Sequence, residues 1–185
     1  MNMQFETYAT LFIILFGALG HFIFEMSGHR KWAGLFFAVN ESTWEHIKLT
    51  IYPSLIAMAA EMLIFGWDRL IPTAWFAAMT TMMLLIPAIF YGYTAITGKN
   101  WLITDIICFC IAIAAGMYVH HLVENAPEGG CTLPECVLCC AGIGLYTVLY
   151  LTLSYHPPHC FLFRDPQNGS YGPGGHNCHS HFHSI

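Results

Sequence analysis

The chain is poor in charge. Of its 185 residues 9% are charged and 56% are hydrophobic, and Lys and Arg together number six. A soluble domain carries about a quarter charged residues, so this composition excludes an ordinary water-soluble globule. Six cations cannot build the basic face that nucleic acid requires. No HExxH zinc motif occurs, and there is no internal repeat. The first apolar run has neither a basic segment before it nor a small-residue cleavage site after it, so it does not read as a signal peptide. Mean hydropathy is +0.55. The solvent this chain is written for is a bilayer, where a span takes about 20 mostly apolar residues.

What is present divides accordingly. Five runs are long enough to span: 8–26, a run from within 40–48 to about 67, 71–96, 101–119 and 136–155. The apolar run 32–39 is too short and is expected to lie in the interface or to dip in and return. His156, Pro157, Pro158 and His159 stop the fifth run, since proline cannot continue a helix. The expected fold is all-α, a bundle of five transmembrane helices spanning 1–160, with a Gly-, Pro- and His-rich tail over 161–185. An odd number of spans puts the ends on opposite sides. Arg30, Lys31, Lys48, Lys99 and Arg164 fall on one side and only Arg69 on the other, next to a connection carrying Glu124, Glu128 and Glu135. The positive-inside rule then gives an outside N-terminus and an inside C-terminus, in a bacterial cytoplasmic membrane. Membrane lipid is the expected partner, with a small ion or amphiphile as ligand and a second copy of the chain compatible with the composition.

This topology sorts the polar residues. His21 and Glu25, four apart on one helix face, Glu45, His46, Asp105, His156 and His159 all come to the cytoplasmic side, while Glu61, His120, His121 and Glu124 fall in the opposite half. Ionisable groups in a membrane are costly and usually pair or work. Imidazole and carboxylate are ligands for zinc or another divalent transition metal, so His21, Glu25, His46, His156 and His159 are candidate ligands. A metal-activated water would find a base in Glu45 or Glu41. The helix start formed by Asn40, Ser42 and Trp44, with Asp105 nearby, would wall the pocket, and its free N–H groups also suit an anion. Plainer readings stand beside these. Ser42 and Glu45 fit a capping box, Lys48 fits a snorkelling interfacial charge, and His21 with Glu25 fits helix-to-helix glue.

Eight cysteines are present. Cys108 and Cys110 read as small apolar residues. Cys131, Cys136, Cys139 and Cys140 cluster on the expected external side, where a disulfide such as Cys131 to Cys136 suits an oxidising compartment. Cys136, Val137, Leu138 and Cys139 form a CxxC at a helix start, a setting that favours thiolate chemistry. Those four residues resemble the Cys-Val-Leu-Cys of bacterial membrane thiol oxidases that pass electrons to quinone. In the tail, His176, Cys178, His179, His181 and His183 are metal-binding types in a short tract.

Further residues carry a wider resemblance. Gly20, His21, Phe22, Phe24, Glu25, Ser27 and Gly28 come first. Next are Leu35, Phe36, Val39, Asn40, Glu41, Ser42, Trp44, Glu45, His46, Lys48 and Leu49. Tyr93, Thr94, Gly98, Lys99, Asn100, Asp105 and Ile106 follow, then Pro157, Pro158, His159, Leu162, Phe163, Asp165, Pro166, Gly169, Tyr171 and Gly172. In this order and spacing the chain resembles a family of small, functionally uncharacterised bacterial multi-pass membrane proteins. The resemblance implies a shared five-helix fold and no activity. The functions left standing are binding or transport of a metal ion or small anion, metal-dependent hydrolysis of a lipid or amphiphile within the membrane, and thiol–disulfide exchange through Cys136 and Cys139.

Overall fold

A computed structural model describes residues 3–126 and 131–173. Its helices are α1 (Met3–Met26), α2 (Lys31–Phe36), α3 (Thr43–Phe65), α4 (Leu70–Thr97), α5 (Leu102–Glu124) and α6 (Leu133–Leu153), followed by a 3₁₀ turn at Phe161–Phe163. All except α2 are long and apolar enough to cross a membrane. The boundaries follow local chemistry. Ser42 caps α3 by accepting the Glu45 N–H, and Thr132 with Glu135 forms a full capping box at α6. Gly98 ends α4 in the left-handed conformation, its N–H closing on Thr94 O. Two helices run further than hydropathy suggests. α1 extends back to Met3 and so includes Glu6, and α5 continues through His120 and His121 to Glu124.

Each helix divides into a protein face and a lipid face. On α1, Ala9, Ile13, Gly17, Gly20 and Phe24 are buried, while Leu11, Leu15, Leu19 and Phe22 stand outward. Such an exposed stripe would be a liability in water and is what a bilayer accepts. Where helices meet, small residues let backbones approach. A Cβ on Gly116 of α5 would fall 2.6 Å from Met82 Cγ and 2.9 Å from Ala78 O of α4. Gly17 of α1 lies against Leu49 O of α3. That carbonyl has no α-helical partner, because residue 53 is proline and has no N–H. Trp75, Met79, Met82, Ile113 and Met117 fill the centre.

The segment between α1 and α3 turns into the bundle. Ala33 and Gly34 of α2 are buried, as are Val39 and Asn40 beyond it. The chain after α6 also folds back. Trp44 is stacked between Tyr150 and Phe163, at centroid distances of 4.2 and 4.5 Å. Asn40 Nδ2 donates to Gly172 O at 3.1 Å, and the Glu41 N–H to Asp165 Oδ2 at 3.4 Å. Asp165 Oδ1 in turn accepts the Gln167 N–H at 2.8 Å. Residues 161–173 are therefore packed on the start of α3. The alternation of helices leaves two ends. One carries this motif, and the other carries Glu6, Glu61, Trp75, His120, Glu124 and the first turn of α6.

Candidate functional site

The motif separates into an inner and an outer half. The inner half is Glu45 and Lys48, 2% and 0% exposed. They form an i,i+3 ion pair at 2.5 Å. Lys48 Nζ also donates to Gly34 O and Ser154 Oγ, both at 2.9 Å, and Ser154 Oγ donates to Glu45 Oε1 at 2.7 Å. Glu45 Oε2 accepts the Val39 N–H at 3.1 Å. Two expectations are corrected here. Lys48 does not snorkel to the interface, because every proton on its ammonium has a partner inside. Glu45 is not available as a general base, because its carboxylate is committed to Lys48, Ser154 and Val39. It also does not close the capping box on Ser42. The Ser42 N–H goes to Asn40 Oδ1 at 2.9 Å instead. Tyr155 seals this hub, donating to Lys31 O at 2.7 Å and leaving no room for a Cβ on Gly34. Burial first, and the nearby Glu45 charge second, push the Tyr155 phenol up and keep it a donor.

The outer half is Glu41 with two histidines. His21 Nε2 lies 3.0 Å from Glu41 Oε1 and His46 Nε2 lies 3.9 Å from Glu41 Oε2. The two imidazole rings are 5.3 Å apart. One ligand atom from each of His21, Glu41 and His46 falls within 4.8 Å of the others. His46 Nδ1 is 3.0 Å from Ser42 O. A carbonyl only accepts, so Nδ1 carries a proton, and in the neutral ring Nε2 turns its lone pair toward Glu41. The carbonyl is the kind of outer partner that fixes the tautomer of a metal-ligating histidine.

The three side chains sit at the edge of a cavity of about 410 Å³ between α1 and α5, lined by His21, Glu41, His46, Asn100, Asp105 and Gln167 on its polar side. Ile14, Ala18, Leu49, Leu102, Ile106 and Phe109 supply apolar wall. A smaller space of about 40 Å³ joins Glu41, His46 and Asp105 toward Phe90 and Pro166. Asp105 accepts from the Tyr93 hydroxyl and, at 3.2 Å, from Asn100 Nδ2.

The structure thus brings together His21, His46, Glu41 and Asp105. It does not bring in the others. Glu25 is exposed one turn along α1. His159 is stacked on Tyr171 at 4.6 Å, and His156 is exposed. None of the three shares a ligand group with His21 among the described residues. The proline stop leaves His159 against Tyr171 of the folded C-terminal segment. Asn40, Ser42 and Trp44 are used up in capping and stacking and do not line either space. The Glu41, Ser42, Glu45 and His46 N–H groups have partners within the protein, and the Glu41 and Asp165 carboxylates lie alongside, which disfavours an anion at the helix start. Cys131, Cys136 and Cys139 are free thiols, with Cys136 buried, so the Cys131 to Cys136 disulfide is not formed. Cys131 Sγ instead lies 3.0 Å from Thr73 Oγ1. His176, Cys178, His179, His181 and His183 lie outside the described residues.

Sequence reasoning placed Glu41 as a base where the geometry makes it the bridging carboxylate. It missed Asn100 and Gln167, which carry no signal of their own and reach the cavity only through the folding-back of 161–173 and the tight turn before α5.

No curated protein and no solved structure matches the chain. Residues 3–173 match the family described as "Family of unknown function (DUF6512)", and on that match the chain belongs to this family.

Proposed function

We propose that this is a multi-pass membrane protein that binds a divalent transition metal, zinc by preference, through His21, His46 and Glu41 on the side of the cavity that faces the cytoplasm. The observation that carries the reading is the His46 ring. Its Nδ1 proton is committed to Ser42 O, so in the neutral ring Nε2 points a lone pair at a carboxylate that His21 Nε2 also faces. Two electron-rich atoms facing each other call for a cation between them. A two-His, one-carboxylate set with an open position is a donor set that zinc accepts. With side chains 22–31% exposed, the ligands remain within reach of an incoming ion. An ion so held could be cargo in transit or a resident.

A second reading rests on the size of the cavity. About 410 Å³ is within the range of small-molecule sites and far more than an ion fills. In that reading the metal activates water toward an amphiphile lying along Ile14, Leu49, Ile106 and Phe109, with Asp105 as the carboxylate facing the same space.

The test is elemental analysis of the full-length protein in detergent with His176, Cys178, His179, His181 and His183 replaced, so that the tail contributes nothing. Binding at the site gives stoichiometric zinc that His21→Ala and His46→Ala each remove. Unchanged zinc in both variants would sink the proposal. The two readings part on turnover. Metal-loaded protein that cleaves an amphiphilic ester in mixed micelles supports the second, and loaded protein without cleavage but with zinc uptake into proteoliposomes supports transport.

A further inference from the structure

At the opposite end of the bundle lies a second cluster that the first site does not use. His120 of α5 is 0% exposed, and neither of its ring nitrogens has a hydrogen-bond partner. Its Nε2 faces Glu61 Oε2 of α3 at 3.4 Å, and its Nδ1 faces Glu124 Oε2, one turn along α5, at 3.7 Å. The second contact is too long for a hydrogen bond, and the first lies at the outer limit without forming one. Glu61 is itself 0% exposed, and the Glu124 side chain 6%. Glu61 Oε1 and Glu124 Oε2 are also without partners. Glu6 of α1 completes the group, 12% exposed at its side chain. One ligand atom each from Glu6, His120 and Glu124 falls within 4.8 Å of the others. Buried polar atoms are nearly always satisfied. Four unsatisfied atoms on three converging side chains mark a place built around something else.

The surroundings have the layout of an outer ligand shell. Trp75 Nε1 donates to Glu61 Oε2 at 2.5 Å, and the Trp75 ring meets the His120 imidazole edge-on at 4.6 Å. This fixes the carboxylate behind Nε2 and the plane of the ring. His121 Nδ1 lies 3.0 and 2.9 Å from the two oxygens of Glu6 and holds that carboxylate, with Asn125 Nδ2 3.2 Å from the same nitrogen. A metal-ligating histidine characteristically gives its other N–H to a carboxylate. Glu61 stands where that acceptor belongs, and Nδ1 is left for the ion.

We propose that Glu6, His120 and Glu124 form a second divalent-cation site, with His120 Nδ1 and one oxygen from each carboxylate as ligands and Glu61, anchored by Trp75, as the acceptor of the His120 Nε2 proton. Two carboxylates with a single imidazole favour a borderline or hard first-row ion such as Zn²⁺ or Mn²⁺. The site closes contacts among α1, α3, α4 and α5 at the end away from the Glu41 centre.

The experiment is a zinc and manganese count on the full-length, tail-substituted protein, with Co²⁺ loading read by its visible absorption. Two ions per chain are expected. Glu124→Gln keeps shape and removes the ligand charge, and it should take the count to one. His21→Ala should remove the other ion independently. Glu61→Gln should weaken the second ion by 10–100-fold without abolishing it, the effect typical of outer-shell partners. If the Glu41 centre binds nothing, the count starts at one and Glu124→Gln takes it to zero. Should Glu124→Gln fail to fold, Glu6→Gln on the more accessible carboxylate is read in its place. A count unaffected by either variant overturns the proposal. A cluster that binds protons only, shown by a pH-dependent melting shift with no ion retained, overturns it as well.

Discussion

Lys48 shows how differently one side chain reads in the sequence and in the fold. By position it is an interfacial charge, and by structure it is the centre of a network joining α2, α3 and α6. Removing one partner of a buried pair leaves the other charge stranded, at a cost of about 3–5 kcal/mol. Lys48→Met should therefore lower the melting temperature in detergent markedly, as followed by circular dichroism. The joint replacement Glu45→Leu with Lys48→Met should recover much of the loss, because no lone charge remains. Glu41, only four residues from Glu45, should behave in the opposite way. Glu41→Gln is expected to leave thermal stability near that of the unsubstituted protein while emptying the proposed metal site, read by elemental analysis. The sequence offers two carboxylates and a histidine in one short stretch and cannot sort them. The sorting comes from which of them α6 covers, and Ser154 lies 109 residues from Glu45.

The helices themselves were largely legible, because spans of about 20 apolar residues are dictated by the bilayer. Their ends were not. Hydropathy stops α5 at the histidines, yet the helix carries His120 and Glu124 inward on one face, where an i,i+4 pair could have been noticed. The packing seams were also hidden, since small residues in an apolar run have no periodic mark strong enough to stand out. Gly116→Val should force apart α4 and α5, where Met82 and the Ala78 carbonyl leave no space. Overpacking of this kind costs about 1–3 kcal/mol, and the variant should melt earlier and bind less metal at the site formed by Glu6, His120 and Glu124. Trp44→Ala should act on the folded-back segment 161–173, whose Phe163 would lose its stacking partner. Limited proteolysis is expected to cut that segment faster while the five long helices stay protected.

For the molecule entire, the sequence carried the five-span plan and the membership of a family without an assigned activity, but not the partition of its ionisable groups. The motif-end histidines at positions 156 and 159 and the buried cluster beneath Trp75 required the path of the backbone, because helices far apart in sequence supply each group. The Lys and Arg bias predicts an orientation, and a direct check is open. With an outside N-terminus, a membrane-impermeant maleimide added to intact cells should label Cys140, which is exposed near the start of α6, and spare Cys160, which is exposed past its end. Lysed cells should show both. Labelling of Cys160 alone in intact cells would reverse the orientation and with it the side from which each site is loaded.

The hub of Glu45, Lys48 and Ser154 also has a consequence for how the chain enters its membrane. Glu45 and Lys48 belong to one helix and neutralise each other across a single turn, so the first turns of α3 can partition with no net charge from this pair. A lone charge in a span resists insertion, by about 2.5–3.5 kcal/mol at the helix centre. Ser154 and Gly34 reach the pair from opposite sides in the sequence, Gly34 synthesised before it and Ser154 well after. The pair is a passport for early insertion and a latch that closes only once α6 has been made.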